Sequence, residues 1–198
     1  MFVSDRHSGE DFGKVAVLMG GTSAEREISL LSGKAVLESL NNSGIEAIGI
    51  DVSKNLLNEL NDEKVDRVFI CLHGKNGEDG KMQAVMEFID MPYTGSGVTS
   101  SALAMDKIKC KQIWQSQNLL TPKFEVLNSN ADWKEIIEKL SCAFVKPVSE
   151  GSSKGIRKVS SAIDLQQAYQ EALQFDSEVI AEQWVDGPEY SVTILSNI

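Results

Sequence analysis

The sequence predicts two domains of different class, an α/β domain built on a parallel sheet and then an α+β domain built on a largely antiparallel sheet. Two observations lead to this prediction. In the first half, uninterrupted apolar runs alternate with helical patterns, and strands of that kind belong to parallel sheets that helices cover on both faces. In the second half, strand-like runs follow each other across short loops that contain glycine, which is typical of antiparallel pairing with helices on one side.

The α/β domain is predicted to span residues 15–96. Residues 1–14 are polar, and we expect them to form a poorly ordered lead-in. The stretch YTGSGVTSS, residues 93–101, combines two glycines with several hydroxyl side chains and marks the end of the domain. Between these limits the pattern predicts strands and helices in this order: strand 15–19, helix 27–40, strands 46–52 and 67–73, and helix 80–90.

The α+β domain is predicted to span residues 97–185. Periodicity indicates helices at 101–117, 132–140 and 162–175. The predicted strands lie at 123–127, 143–148, 156–160 and 178–185, and a further strand is predicted beyond the domain at 190–195. Because no partner follows the last of them, we expect residues 186–198 to open a further domain of which the chain holds only the start.

The charge balance limits the partners of the whole surface. The chain has 19 basic and 29 acidic residues, a net charge of −10, which disfavours nucleic acid and anionic membranes. No apolar run approaches the roughly 20 residues of a membrane span, and the N-terminus lacks the apolar segment of a secretory signal. Three scattered cysteines and two histidines favour reduced thiols over disulfides or a zinc site, so we expect a cytoplasmic protein.

The first candidate site is MGGTSAERE, residues 19–27, between a predicted strand and a predicted helix. Its two glycines allow a tight turn and a close approach of a ligand to the backbone. Arg26 beside Glu25 would suit a zwitterion such as an amino acid. Thr22 and Glu25 also have the spacing of a capping box, which would account for them without a ligand. The spacing is not G-x-G-x-x-G, so a dinucleotide site is not indicated.

The second candidate site is CLHGKNGEDG, residues 71–80, which places His73 at the end of a predicted strand in a loop with three glycines. Ligands of parallel sheets bind at the carboxyl ends of the strands, where both this motif and the first one lie. A surface turn that leads into the next helix is the alternative. His73 is too isolated to be a metal ligand.

The third candidate site is VKPVSEGSSKGI, residues 145–156. Its glycines and serines offer backbone N–H groups and hydroxyls of the kind that cradle phosphate oxygens, and Lys146 can reach an α- or β-phosphate as a point charge. The loop is not a Walker A loop, because it lacks the G-x-x-x-x-G-K-[ST] spacing and a strand follows it. A serine- and glycine-rich hairpin without function fits the bare pattern equally well.

The fourth candidate site is IAEQWVDGPEYSV, residues 180–192, where a predicted strand ends before a Gly-Pro turn. Backbone groups at a strand end can read the amino edge of adenine, and a carboxylate can bind ribose hydroxyls. The residues concerned are Glu182, Gln183, Trp184, Val185 and Glu189. An edge strand that leads into a turn is the alternative.

Six motifs occur together in the order typical of one family. The chain closely resembles the D-alanine–D-alanine ligases, which are ATP-grasp enzymes of peptidoglycan synthesis, from Val15 to Ile198. The motifs that carry the resemblance are GGTSAERE, LHGKNGEDG, PYTGSGV, SALAMDK, VKPVSEGSS and WVDGPEYSV.

The resemblance implies a fold and a reaction. The fold would be a Rossmann-like pre-ATP-grasp domain followed by an ATP-grasp central domain, without the C-terminal third of the family. In the reaction, ATP phosphorylates the carboxylate of one D-alanine, and the amine of a second D-alanine then displaces phosphate from the acyl phosphate. The implied cofactors are ATP and Mg²⁺, with Mn²⁺ as an alternative metal, and the implied assembly is a homodimer through the first domain.

The resemblance also implies roles for individual residues. Glu25 would bind the ammonium of the first D-alanine, Ser152 would help to position Glu25 as a second catalytic residue, and His73 would line the same pocket. The ATP site would comprise Lys107, Lys146, Glu150, Ser152, Ser153, Glu182, Gln183, Trp184, Val185 and Glu189.

The chain departs from the family pattern at three places. Lys154 replaces a small apolar residue and is left out of the site. Gln183 stands where lysine is common, so only backbone contacts to the purine are carried over there. The metal ligands of the family belong to a further domain, and none is assigned within these 198 residues. We therefore expect this polypeptide alone not to ligate, which a phosphate-release assay with D-alanine and Mg-ATP tests.

The sequence leaves three alternative functions open. The first is an ATP-grasp ligase with another acceptor, such as D-lactate, and the second is a non-catalytic nucleotide-binding module. The third is an α/β protein with a purely structural role, which calorimetric titration with ATP would identify by the absence of heat.

Overall fold

The computed structural model describes residues 9–151 and 154–192. They form two compact units, one of residues 9–116 and 148–151 and the other of residues 117–147 and 154–192. The domain boundaries expected from the sequence stay predictions. In the described ranges, no helix has both the length and the apolar character that crossing a membrane requires.

The first unit is built on a parallel sheet, as predicted. Its strands are β1 (Val15–Met19), β2 (Ala47–Asp51) and β3 (Arg67–Ile70), and its helices are α1 (Arg26–Asn42), α2 (Leu56–Asp62), α3 (Lys81–Phe88), α4 (Val98–Met105) and α5 (Lys107–Ser116). The strand order is β2-β1-β3, and Val15 lies opposite Ala47 on one side and Arg67 on the other.

Strand β1 lies in the middle of this sheet and explains its uninterrupted apolar run. Ala16 and Leu18 belong to a core cluster with residues of α2 and α3, whereas Val17 and Met19 pack against α1. Successive side chains of a strand point to opposite faces, so a strand covered by helices on both sides must be apolar throughout. All five residues of β1 are accordingly buried.

The first unit differs from the sequence predictions in several elements. Strand β3 is shorter than the predicted 67–73, and helix α2 was not predicted. The predicted helix 101–117 is two helices, because Asp106 has an extended backbone and the N–H of Lys107 donates to the carbonyl of Val148. Within the predicted lead-in, Gly9–Phe12 form a short 3-10 helix, and residues 1–8 lie outside the described range.

The second unit contains the predicted antiparallel sheet. Its elements are β4 (Phe124–Leu127), α6 (Trp133–Leu140), β5 (Ala143–Pro147), β6 (Arg157–Val159), α7 (Ala162–Ala172) and β7 (Val179–Gln183). The strand order is β4-β7-β5-β6, so β7 lies between β4 and β5 rather than beside β6. Residues 190–192 of the predicted strand 190–195 have no regular secondary structure, and residues 193–198 lie outside the described range.

The two helices of the second unit cover one face of its sheet. Val145, Val159 and Ala181 share a core cluster with Leu165 of α7 and Leu140 of α6. Each helix begins at a polar cap that satisfies backbone N–H groups. The Asp132 side chain accepts from the N–H groups of Lys134 and Glu135, and the Ser161 side chain accepts from the N–H of Asp164. The alternate residues of β5, Phe144 and Lys146, therefore lie on the opposite face.

Tyr93 lies at the edge of the parallel sheet, where it forms an isolated β-bridge with Val68. The ionisation of its side chain tests the structure at this edge. Partial burial, and then the hydrogen bond that its hydroxyl donates to Glu87 Oε1 at 2.7 Å, raise the pKa of Tyr93 to about 12. Since the neutral phenol is favoured, its contribution to stability is complete below the ordinary pKa of about 10 and is lost as the pH rises through 12. We expect Tyr93 to ionise late in a spectrophotometric titration.

The assignment of that late titration has its own controls. Tyr93→Phe should remove it, and Glu87→Gln should bring it towards the ordinary pKa because the carboxylate charge is gone. Ionisation of Tyr93 near pH 10 in the unaltered protein would contradict the prediction.

Candidate active site

The glycine turn after β1 places Glu25 at the start of α1. Gly20 and Gly21 have φ angles of +75° and +72°, a backbone conformation that glycine adopts without steric cost. Helix α1 begins at Arg26 with Glu25 as the preceding residue, and the Glu25 side chain makes no capping hydrogen bond. The capping-box interpretation of Thr22 and Glu25 is therefore wrong, because Thr22 is not the N-cap.

The Glu25 carboxylate is buried against two glycines. Glu25 is 7% exposed. A Cβ placed on Gly74 would lie 2.2 Å from Glu25 Oε2, and a Cβ placed on Gly151 would lie 3.3 Å from Glu25 Oε1. The structure thus brings together the first, second and third candidate motifs. A buried carboxylate in such a place can bind a cationic ligand.

His73 lines two cavities of about 310 Å³ each. Ser32 Oγ lies 3.2 Å from its Nε2, and Glu78 Oε1 lies 3.6 Å from its Nδ1. The Ser23 hydroxyl donates to the His73 carbonyl at 2.7 Å, which ties the second motif to the loop that carries Glu25. One cavity is lined by Gly21, Thr22, Ser53 and Lys54, and the other by Gln83, Thr94, Ser96 and Ser101.

Lys107, predicted to contact ATP phosphates, supports the third motif. Its Nζ donates to the carbonyls of Val148 at 3.0 Å and Glu150 at 2.7 Å. The half-buried ammonium therefore fixes the backbone on which the predicted residue Glu150 lies. The predicted residues Ser152 and Ser153 lie outside the described residues.

In the second unit, the open face of the sheet carries the predicted ATP residues Lys146, Glu182 and Trp184. Lys146 of β5 and Glu182 of β7 form a close ion pair, with side chains only 18% and 15% exposed. Beside them, the rings of Phe144 and Trp184 meet edge to face with centroids 4.6 Å apart. The ammonium of Lys158 lies 3.8 Å from the centroid of the Trp184 ring. Charged and aromatic groups thus lie side by side on a face that the helices do not cover.

The backbone at the end of β7 is partly engaged by neighbouring strands. The N–H of Gln183 donates to the Lys123 carbonyl and the N–H of Trp184 to the Cys142 carbonyl, both at 2.8 Å. Backbone contacts of these two residues with a base would therefore use their carbonyl oxygens. Val185 and Glu189 are exposed.

Several residues of the site were missed by the sequence analysis. Asp51 lies at the carboxyl end of β2, and pairing of β2 with β1 brings it to the glycine turn, where it binds Arg26. Lys158 reaches Trp184 because β6 places it opposite Phe144. Both contacts follow from the order of the strands in the sheets. A single sequence motif does not show that order.

Gly74→Ala is expected to displace the Glu25 carboxylate. The new Cβ would lie 2.2 Å from Glu25 Oε2, and φ at this position is +66°. We expect a loss of about 1–2 kcal/mol from backbone strain and, in addition, weaker binding of any ligand that Glu25 holds. Gly44→Ala is the matched control, because Gly44 has φ +78° and open space around it. Equal losses of stability and of ligand binding in both variants would contradict the expected displacement.

Comparisons with known proteins place this chain in a class of ligases. Its N-terminal part matches the family model for the D-ala D-ala ligase N-terminus at residues 14–61 and 55–96, and residues 113–198 match the model for the D-ala D-ala ligase C-terminus. Together the two models span most of the chain. It belongs to the D-alanine–D-alanine ligase family.

Individual relatives agree with the family models. The chain is 53% identical over 185 residues to a D-alanine–D-alanine ligase of Ectopseudomonas mendocina, an alignment that covers 93% of this chain and 59% of the relative. The ligase of Pseudoalteromonas translucida is 48% identical over 188 residues, with 94% and 61% covered. The chain thus spans about three fifths of the length of these relatives.

Solved structures show the same likeness. The D-alanine–D-alanine ligase of Bacillus anthracis superposes with a TM-score of 0.79 at 30% identity, covering 88% of this chain and 58% of that one. A structure of the same enzyme complexed with ATP gives a TM-score of 0.76 at 29% identity, covering 88% of this chain and 60% of that one.

Proposed function

We propose that the full-length protein, the product of the complete reading frame that contains these 198 residues, is a cytoplasmic, ADP-forming D-alanine–D-alanine ligase of peptidoglycan synthesis. The observation that carries the proposal is the Glu25 carboxylate, which is buried against Gly74 and Gly151 in a chain of this family. The finer arrangement proposed is a Rossmann-like pre-ATP-grasp domain followed by an ATP-grasp central domain.

The first part of the proposal concerns the amino-acid substrate. Glu25 binds the ammonium of the first D-alanine, and His73 lines the same pocket with its ring oriented by Ser32. Ser152 helps to position Glu25. A carboxylate oxygen of the first D-alanine attacks the γ-phosphorus of ATP and ADP leaves. The amine of the second D-alanine then attacks the acyl carbon, the C–O bond to phosphate breaks, and the dipeptide is released after the amine loses a proton.

The second part concerns the nucleotide. Lys107 and Lys146 contact the phosphates, and Glu150, Ser152 and Ser153 belong to the loop over them. Adenine and ribose are bound by Glu182, Gln183, Trp184, Val185 and Glu189. The ion pair of Lys146 with Glu182 supports this assignment, since it joins two of the proposed ATP residues across β5 and β7. Preorganised charges of this kind favour a reaction in which negative charge moves between phosphate oxygens.

Mg²⁺, or Mn²⁺ in its place, would neutralise the phosphates in such a reaction. Among residues 9–151 and 154–192, no three His, Cys, Asp or Glu side chains are grouped to hold a metal ion. No step is therefore assigned to a metal ligand of this chain. Homodimerisation through the first domain is proposed from the family resemblance alone.

The test of this function is turnover by the full-length protein with ATP and candidate acceptors. Phosphate release that depends on D-alanine, together with D-alanyl-D-alanine identified by mass spectrometry, is expected. A product with D-lactate but not with D-alanine would identify the other acceptor. ATP binding without any turnover would identify a nucleotide-binding module, and either of these results would overturn the proposal.

A further inference from the structure

We propose that Arg26 and Asp51 are a positioning pair, which fixes the glycine turn before Glu25 and so sets the direction in which the Glu25 carboxylate meets the substrate ammonium. The inference rests on the proposed function, because it concerns the same substrate site. Neither residue touches the substrate in this role, and both act through the backbone of Gly21.

The pair binds both polar groups of one glycine. Asp51 ends β2 and Arg26 begins α1, and the two side chains meet in a two-pronged ion pair, with Nη1–Oδ1 at 2.6 Å and Nη2–Oδ2 at 2.5 Å. Gly21 N–H donates to Asp51 Oδ1 at 3.4 Å, and Arg26 Nη1 donates to the Gly21 carbonyl at 3.1 Å. Gly21 is thereby held through both its N–H and its carbonyl.

The turn needs such support because it is made of two consecutive glycines. Fixing the backbone of one residue costs about 1–2 kcal/mol, and glycine has the most freedom to lose. A Cβ on Gly20 would lie 2.2 Å from Asp51 Oδ1 and 2.6 Å from Arg26 Nη1, so the pair packs directly on the turn. A residue with a side chain could not replace Gly20 without displacing the pair.

Hydrogen bonds of the neighbouring residues connect the position of the turn to the position of Glu25. Gly20 N–H donates to Ser29 Oγ, whose hydroxyl donates to the Cys71 carbonyl. Further along, Ser23 Oγ accepts from the N–H of Glu25 while its hydroxyl donates to His73. Gly21 lies between these fixed points, and the pair is what holds it in the described structure.

Two alternative roles of Arg26 and Asp51 fit the structure less well. One is an ion pair that only stabilises the fold, and the other is direct contact of Arg26 with the substrate. The side chains of Arg26 and Asp51 are 41% and 48% exposed, and ion pairs so open to solvent add little to stability. Direct recognition of a substrate carboxylate by Arg26, which the sequence allowed, is disfavoured because the guanidinium is engaged by Asp51 and by Gly21. The hydrogen bond from Arg26 also keeps the pKa of Asp51 below its ordinary value, so the carboxylate is charged at neutral pH.

The experiment compares Asp51→Asn and Arg26→Gln with a matched variant in the full-length protein. Each should raise KM for D-alanine by about 10- to 100-fold, as expected for a misplaced substrate-binding group, and leave KM for ATP unchanged. The control is Glu63→Gln, which breaks the Lys14–Glu63 ion pair at 2.7 Å near the amino end of β1. The control should leave both constants unchanged.

A charge exchange separates positioning from simple pairing. Arg26→Asp with Asp51→Arg can re-form an ion pair, but the new Asp cannot donate to the Gly21 carbonyl and the new Arg cannot accept from its N–H. We expect the exchange to leave KM for D-alanine raised. Restoration by the exchange, an unchanged KM for D-alanine in the single variants, or an equal rise in KM for ATP would each overturn the proposal.

A second measurement distinguishes failure of the proposed function from failure of the positioning role. If the unaltered full-length protein does not ligate D-alanine, the function is wrong and the positioning role is read from amide hydrogen exchange instead. Asp51→Asn should then speed exchange in residues 20–25 relative to Glu63→Gln. Equal exchange in the two variants would overturn the positioning role.

Discussion

Glu25→Gln in the full-length protein is expected to lower kcat/KM for D-alanine by about 100-fold or more, which corresponds to roughly 3 kcal/mol. Glutamine keeps the shape of the side chain but carries no charge to balance a buried ammonium. Because the carboxylate is 7% exposed and packed against Gly74 and Gly151, water cannot replace that charge. Steady-state kinetics with D-alanine as the varied substrate measure the loss, and calorimetry should show unchanged ATP binding.

The matched control for this variant is Glu27→Gln. Glu27 lies in the first turn of the same helix and is exposed, so its replacement removes one negative charge at nearly the same place without touching the buried site. We expect Glu27→Gln to behave as the unaltered protein. Equal losses in the two variants would show that general charge near α1, rather than the Glu25 contact, determines binding.

The fold was predictable from the sequence where local pattern and long-range packing agree. Strand β1 is apolar throughout because helices cover both of its faces, so five consecutive residues were enough to identify it. The break at Asp106 was not predictable in this way. Residues 101–117 have a continuous helical pattern, and the helix is interrupted where the backbone of Lys107 bonds to Val148, which is distant in sequence.

In the candidate site, too, local motifs were predictable from the sequence and long-range contacts were not. The motifs and the family resemblance predicted roles for Glu25, His73, Lys146 and Glu182, because each lies at a strand end or beside a glycine-rich loop. Their partners depend on strand order. Lys146 meets Glu182 only because β7 lies next to β5, an order that the sequence of strands along the chain does not reveal. The same holds for the contact between Asp51 of β2 and the turn after β1.

Lys146→Met is expected to weaken ATP binding by about 30-fold or more, or roughly 2 kcal/mol, and to destabilise the second unit. The stability loss arises because the Glu182 carboxylate, only 15% exposed, is left without this partner, at a cost of about 1–3 kcal/mol. Isothermal titration with ATP measures the first effect, and urea unfolding measures the second. Lys139→Met is the control, since the Lys139–Glu125 ion pair lies in the same unit with side chains 55% and 30% exposed.

A double variant separates these two effects of Lys146. In Lys146→Met with Glu182→Met, the carboxylate that had lost Lys146 is also gone and two apolar side chains of similar size replace the pair, an exchange that is often neutral or stabilising. We expect the stability of the unit to return towards that of the unaltered protein while ATP binding stays weak, because the Lys146 ammonium and the Glu182 carboxylate, both proposed to bind ATP, are absent. If ATP binding recovered together with stability, the lysine would serve only to balance Glu182, and the nucleotide assignment of the open sheet face would fail.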